Sequence, residues 1–224
     1  MLGLVAALGV TLAVGFASFR AFAEARAGTS GFWLTLAIVN GALATVAVVR
    51  AWRRDDWYWL APKWGDFTRG FFGAAIMFGL SFAFVKVVMT GPREAWMDRV
   101  YAQMGDSGEL RTHFARTALS LTGLAFCEEV VWRGMVPSLL EERLGSRRAW
   151  IASILLYAVA HVPTVWVLRN AAGWNPTLVL AAGAMGVVMG GMTRRFERVP
   201  PAMVGHALFL IAATMMFRLT GTSV

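Results

Sequence analysis

The chain has very little cysteine, lysine or charge of any kind. Its 224 residues include one cysteine, Cys127, and two lysines, Lys63 and Lys86, and only 15% of the residues are charged. A single cysteine excludes a disulfide within the chain and a metal site built from several cysteines. With so few charges and 58% hydrophobic residues, the chain is too apolar for an ordinary soluble domain.

Seven long apolar runs account for this composition. Such runs predict helices, and about 20 apolar residues are needed for a helix to cross the hydrocarbon core of a bilayer. The predicted helices are at 2–23, 32–50, 70–90, 113–133, 149–168, 176–193 and 201–218. We therefore expect an all-α, polytopic transmembrane helical bundle of about seven spans, with residues 1–224 forming a single integral-membrane domain.

The basic residues lie mostly in the short linkers between these runs. The net charge of +8 therefore indicates contacts with the lipid bilayer and a fixed orientation in it, and not nucleic-acid binding. The linkers after the second, fourth and sixth runs are rich in arginine, so the positive-inside rule places them and the N-terminus in the cytoplasm. Arginine-heavy, lysine-poor usage favours a bacterial inner (cell) membrane.

Three ionisable residues lie at the end of the fourth run: Glu128, Glu129 and Arg133. A charge at the centre of a membrane helix costs roughly 2.5–3.5 kcal/mol on insertion scales, so this cluster indicates a functional site. Glu129 and Arg133 are four positions apart on one helix face, which predicts an ion pair. Glu128 points about 100° away and is free to face an interior cavity. Alternatively, both glutamates form helix contacts at the membrane interface, and Arg133 reaches the headgroups.

Two histidines lie inside other predicted spans, His161 in the fifth and His206 in the seventh, whereas His113 is expected to be an interfacial polar residue. Tyr157 lies one turn before His161, and Pro163 predicts that this helix bends or ends nearby. A carboxylate and an imidazole on facing helices can hold a water molecule and take its proton, while a second imidazole stabilises an oxyanion. One glutamate and two histidines are equally a ligand set for zinc, so both chemistries stay open.

In these residues the chain resembles the CPBP family of intramembrane proteases, also called the Abi family. That family includes CAAX prenyl endopeptidases and bacteriocin-processing or immunity proteins. Its Glu-Glu-x-x-x-Arg motif matches residues 128–133, and its Phe-x-x-x-His motif matches residues 157–161 with tyrosine in place of phenylalanine. Its His-x-x-x-Asn/Asp motif matches His206 only, because Leu210 stands at the position of the amide or acid. The motifs cover roughly residues 115–215.

The resemblance implies a glutamate protease that requires no cofactor, zinc being the alternative. In this mechanism a carboxylate and one histidine activate water, and the other histidine helps to bind the oxyanion. The implied catalytic residues are Glu128, His161 and His206, and the implied supporting residues are Glu129, Arg133 and Tyr157. Leu210 removes one expected oxyanion donor, for which the candidate replacements are Asn170, Asn175 and Thr214.

The implied substrate is a membrane protein or lipidated peptide, cut near the membrane surface in a C-terminal tail, a lipidated tail or a leader peptide. The active site is expected in the cytoplasmic half of the membrane. Two other functions stay open. Leu210 favours a non-catalytic scaffold or an immunity or secretion partner of the same fold, and intramembrane acids and histidines also build proton-coupled transporters. The chain is short for a transporter and has no obvious inverted repeat.

Overall fold

The computed structural model describes residues 1–215. Helix accounts for 82% of it, and the described residues contain no strand. The α-helices are α1 Leu2–Ala21, α2 Ser30–Arg53, α3 Asp66–Val88, α4 Ala95–Ala102, α5 Ser107–Thr112, α6 Phe114–Glu129, α7 Val136–Leu144, α8 Ser146–Ala160, α9 Thr164–Val167, α10 Thr177–Phe196 and α11 Pro200–Thr214. Short 3₁₀ turns occupy Glu24–Arg26, Tyr58–Leu60 and Gly91–Glu94.

Each predicted span corresponds to a helix or, for 149–168, to the successive helices α8 and α9, which confirms the all-α class. Among residues 1–215, five segments are long and apolar enough to cross a membrane: Leu2–Ala21, Ser30–Arg53, Asp66–Val88, Ser146–Val167 and Thr177–Phe196. α6 and α11 are shorter, with 16 and 15 residues. The predicted end of the seventh span, at residue 218, lies outside the described residues. The chain is a helical integral membrane protein.

The outward faces of the long helices are apolar, as a lipid environment requires. Leu12 on α1, Phe72 on α3 and Val187 on α10 are all more than half exposed. In water, so much exposed apolar surface is found only at binding sites or in aggregating proteins. In a bilayer these side chains face acyl chains, and the polar residues are gathered inside the bundle.

Glycines allow close contact between helices at two places. A Cβ added at Gly186 or Gly190 of α10 would lie within 3 Å of Ile154 or Trp150 on α8. The Gly-x-x-x-Gly step therefore packs two helices of the same chain. On α3, a Cβ added at Gly70 would lie 2.6 Å from the side chain of Val204 on α11. Helices carrying candidate site residues thus approach their neighbours at glycines.

Gly70→Ala is expected to destabilise the bundle because the added methyl group collides with Val204 on α11. Overpacking of this kind costs about 1–3 kcal/mol. Thermal unfolding of the purified protein in detergent measures the loss. Gly79→Ala is the matched control, because Gly79 is on the same helix with nothing within 4 Å of the added Cβ. Equal melting temperatures for the two variants would contradict the close α3–α11 contact.

A buried ionic contact fixes the start of α11, which carries His206, to the start of α3. Asp66 Oδ1 lies 2.6 Å from Nη2 of Arg198 and 3.5 Å from Nη1 of Arg69. The other carboxylate oxygen of Asp66 accepts a hydrogen bond from the backbone N–H of Lys63 at 2.7 Å. Asp66 and Arg198 are both buried. These contacts set the position at which α11 enters the bundle and hence the position of His206.

The short helix α4 connects the other end of α11 to the linker before α10. Tyr101 of α4 donates a hydrogen bond to the carbonyl of Ala213 at 3.3 Å. Asn175 donates to the carbonyl of Trp96 at 2.9 Å, and Asn170 donates to a carbonyl at the start of α4. Burial raises the pKa of the Tyr101 hydroxyl, so it stays protonated and remains a donor. α4 is thereby held against the bundle at that end.

Candidate active site

The carboxylate pair lies where α6 widens into a π-helical turn, Val130–Met135, before continuing as α7. Proline lacks a backbone N–H, and its ring clashes with the carbonyl four residues earlier in a regular α-helix. Pro137 places that clash at Arg133, so the wider turn accommodates the proline. In the π turn, the carbonyl of Trp132 accepts a 2.6 Å hydrogen bond from the hydroxyl of Ser153 on α8. Such π turns are frequent at functional sites.

Glu129 is fully buried and contacts two basic side chains. Arg133 Nε lies 3.1 Å from Oε2 of Glu129, so the predicted ion pair is present, although without hydrogen-bond alignment. His206 Nδ1 lies 2.8 Å from Oε1 of the same carboxylate. Sequence spacing indicated the first contact but gave no sign of the second. Glu129 therefore joins the π turn to α11.

Glu128 lies on a different face from Glu129 and is only partly buried. The hydroxyl of Tyr157 on α8 donates a 2.7 Å hydrogen bond to its Oε2. The Tyr157 ring in turn packs against Trp132 and lies 4.5 Å from the guanidinium carbon of Arg133. One carboxylate oxygen of Glu128 is thus held by a hydrogen bond, and the other makes no hydrogen bond or ion pair with a residue in 1–215.

His161 follows the last residue of α8, Ala160, in a tight turn completed by Pro163, so the predicted helix end is present. Its Nδ1 lies 2.8 Å from the carbonyl oxygen of Tyr157. Because a carbonyl only accepts hydrogen bonds, this contact places the proton on Nδ1. Nε2 then carries the lone pair and is the nitrogen that can take a proton from water. The rings of His161 and Tyr157 pack edge to face, with centroids 4.8 Å apart.

Glu128, His161 and His206 all line one cavity of about 180 Å³. Most of the lining is apolar, with Phe32, Trp33 and other large side chains from α2, α4, α6 and α10. His206 is almost entirely buried, whereas Glu128 and His161 are partly accessible. The three side chains that sequence analysis proposed as catalytic are therefore brought together at one cavity, although they are far apart in the sequence.

Leu210 lines the same cavity one turn after His206. The three proposed replacements for its missing polar group are placed elsewhere, which overturns that part of the sequence analysis. The side chains of Asn170 and Asn175 donate hydrogen bonds to backbone carbonyls at the start of α4, and Thr214 does not line the cavity. His113 is exposed at the start of α6 and is likewise not part of the site.

Asn40 on α2 lines the cavity, and sequence analysis missed it. The sequence did contain a signal, because Asn40 is the only amide side chain within any of the seven predicted spans. A polar residue inside a membrane helix is by itself evidence of a functional position. The first three predicted spans carry none of the family motifs, so the resemblance did not point to this residue.

No group of three or more His, Cys, Asp or Glu side chains in residues 1–215 is arranged to hold a metal ion. Of the possible zinc ligands, Glu128 accepts a hydrogen bond from Tyr157, and His206 is hydrogen-bonded to Glu129 through Nδ1. The imidazole nitrogens that remain for other contacts are Nε2 of His161 and Nε2 of His206. As the side chains are placed, the arrangement suits hydrogen bonding and proton transfer.

These observations define a class: a helical integral membrane protein with an acid–imidazole site inside the bundle. Residues 111–212 match the family model described as type II CAAX prenyl endopeptidase Rce1-like. The resemblance to the CPBP intramembrane proteases is thereby confirmed for this segment, which spans the positions of all three motifs. The family that this model describes is a family of peptidases. No curated protein and no solved structure matches the chain.

Proposed function

We propose that this protein is an intramembrane endopeptidase that hydrolyses a peptide bond near the membrane surface with water activated by Glu128 and His161. The observation that carries the proposal is the cavity on which Glu128, His161 and His206 meet. The family match over residues 111–212 supports the same reaction class.

In the proposed reaction, a water molecule lies between the free oxygen of Glu128 and Nε2 of His161. As the water oxygen bonds to the peptide carbonyl carbon, its proton passes to one of these two groups, and the carbonyl electrons move to oxygen. The C–N bond then breaks, and the retained proton is delivered to the leaving amine. General acid–base catalysis of this kind contributes typically 10²–10⁴-fold to a rate.

His206 is proposed to stabilise the oxyanion. Its Nδ1 is occupied by the carboxylate of Glu129, so only Nε2 can donate to a substrate. To donate through both nitrogens the ring must carry two protons, and the negative charge of Glu129 compensates the resulting positive charge. In this proposal Arg133 and Glu129 orient His206 and hold the catalytic helix, and neither touches the substrate.

The proposed substrate is a C-terminal tail, a lipidated tail or a leader peptide with apolar groups next to the cut. The apolar lining contributed by Phe22, Phe32, Leu124 and Phe209 supports this choice, since burying apolar surface is favourable by about 25 cal/mol per Å². The cavity extends from Glu128 towards the end of α1 and the start of α2, away from the arginine-rich linkers. If those linkers are cytoplasmic, the cavity leads away from the cytoplasmic surface of a bacterial inner membrane.

Leu210 favours a second candidate, a non-catalytic scaffold or an immunity or secretion partner of the same fold. A single oxyanion-hole donor is worth about 2.7–4 kcal/mol of transition-state stabilisation. A protein that had lost this donor without replacement would be a poor enzyme. The two candidates differ in one respect that is directly measurable, namely whether the folded protein cuts a peptide.

The test uses the wild-type protein in liposomes and pairs of peptides with the same sequence, one with an isoprenylated cysteine and one unmodified. We expect cleavage of at least one peptide of a pair, detected by mass spectrometry, and no loss of rate after treatment with a zinc chelator. Preference within a pair identifies whether the substrate is lipidated. A folded protein that cuts none of the peptides would favour the scaffold, and loss of cleavage on chelation would favour zinc.

A further inference from the structure

Asn40 is a buried amide whose hydrogen-bonding capacity is mostly unused. Only 1% of its surface is exposed. Nδ2 donates to the carbonyl of Leu36 one turn earlier, at 3.0 Å, and this contact uses one of its two hydrogens. Oδ1 has no hydrogen-bond partner among the described residues. An unsatisfied polar group buried in this way lowers the stability of the fold.

Packing does not explain an amide at this position. Asn40 lies on the inner face of α2 together with Ala44, Ala47 and Ala51, all of them buried. Ala44 and Ala47 belong to the central apolar core of the bundle. An apolar side chain at position 40 would continue this face and leave no buried polar atom without a partner. The amide is therefore better explained by the cavity that it faces.

Asn40 faces the cavity that holds Glu128, His161 and His206, and it is the only amide side chain in the lining. Leu210 lines the same cavity. It stands at the position where the His-x-x-x-Asn/Asp motif has an amide or an acid. α11 therefore lacks the amide of the motif, and α2 places an amide on the same cavity.

We infer that Asn40 is a catalytic residue that donates its second Nδ2 hydrogen to the scissile carbonyl oxygen, as the residue at position 210 would do in the motif. This inference rests on the proposed hydrolysis. When the water oxygen bonds to the carbonyl carbon, negative charge develops on the carbonyl oxygen. His206 and Asn40 then donate to that oxygen from two helices until the C–N bond breaks and the charge returns to the carbonyl.

The experiment measures kcat, KM and melting temperature for Asn40→Ala and for Asn40→Ala combined with Leu210→Asn. Removing one oxyanion donor lowers kcat by about 10²–10³-fold, so we expect a loss of this size with little change in KM. Because Oδ1 has no partner to lose, the melting temperature should be unchanged or higher. In the double variant, Leu210→Asn places an amide on the cavity from α11. Its kcat should therefore be at least tenfold higher than that of Asn40→Ala alone.

Asn175→Ala is the matched control. Asn175 is also a fully buried asparagine, but it donates to Trp96 and accepts from the backbone N–H of Thr177, away from the cavity. This variant should lose thermal stability and keep the kcat of the folded protein, the opposite pattern to Asn40→Ala. If Asn40→Ala does not fold, Asn40→Leu takes its place, since leucine has nearly the same shape without polar atoms.

Wild-type kcat in Asn40→Ala or Asn40→Leu would overturn the inference, as would a loss of activity that simply follows a loss of folded protein. Failure of Leu210→Asn to raise the kcat of the Asn40 variant would also count against it. Failure of the proposed function is distinguishable because it appears in the wild type, which would then cut no peptide.

Discussion

Glu128→Gln is expected to abolish cleavage and leave the bundle folded. Glutamine has the same size and can still accept the hydrogen bond from the Tyr157 hydroxyl at one oxygen. It has no oxygen that takes a proton, so the water beside His161 loses its carboxylate base. Loss of a general base typically costs 10²–10⁴-fold in rate. Initial rates with the best peptide substrate, together with a melting curve, measure both parts of this prediction.

His161→Ala should lower the rate by a similar factor, and the double variant should be little worse than either single variant. Residues that act as one unit in a reaction step show such non-additive effects. Glu142→Gln is the control, because Glu142 is an exposed carboxylate on α7 outside the cavity. Full activity in Glu128→Gln would remove Glu128 from the mechanism, whatever the result for His161.

Removing Glu129 is expected to cause the largest loss of stability of any site variant. Its carboxylate lies 3.1 Å from Arg133 Nε and 2.8 Å from His206 Nδ1, with no exposed surface. Breaking a buried ion pair by removing one partner costs about 3–5 kcal/mol, because the other charge stays buried and uncompensated. Glu129→Gln leaves the charge of Arg133 buried and uncompensated. Thermal or chemical unfolding in detergent measures the change.

Arg133→Met should cost less than Glu129→Gln, because Glu129 keeps His206 as a partner when the arginine is lost. The double variant should be more stable than the sum of the two single effects predicts, which is the signature of a direct interaction. Glu24→Gln is a useful comparison, since Glu24 contacts Arg99 while remaining largely exposed. Exposed pairs contribute little to stability. Unchanged stability in both single variants would show that the pair does not hold the helix.

Local sequence patterns were enough to predict the helices and part of the site. The apolar runs located the long helices to within a few residues, because a membrane span needs length and hydropathy together. The four-residue spacing of Glu129 and Arg133 predicted their pairing, since residues four apart share a helix face. The same geometry correctly separated Glu128 from Glu129, with Glu128 on the cavity and Glu129 buried.

Contacts between distant helices were beyond sequence reasoning. His206 and Glu129 are 77 positions apart, and Tyr157 and Glu128 are 29 apart. No local periodicity reports which polar groups on separate helices meet, because helix packing decides that. The π turn at Val130–Met135 and the amphipathic helix α4 were missed as well. Pro137, which the π turn accommodates, is visible in the sequence, but its effect depends on the helix continuing through it.

The candidates for the missing oxyanion donor, Asn170, Asn175 and Thr214, all lie within the motif-bearing segment at about 115–215, but none of them lines the cavity. Asn40 lies 88 positions before Glu128, on a helix without motifs, yet it lines the same cavity. A search for polar residues inside apolar runs would have found it, since intramembrane amides are rare and tend to face the protein interior.

The most direct test of the proposed hydrolysis compares membranes containing wild-type protein with membranes containing Glu128→Gln at equal abundance. New peptide termini in both samples are identified by mass spectrometry, with a library of tagged membrane-protein tails and leader peptides as potential substrates. We expect termini that are present with the wild type, absent with Glu128→Gln and located near the membrane surface of their proteins. The same set of termini in both samples, with both proteins folded, would contradict the proposed hydrolysis.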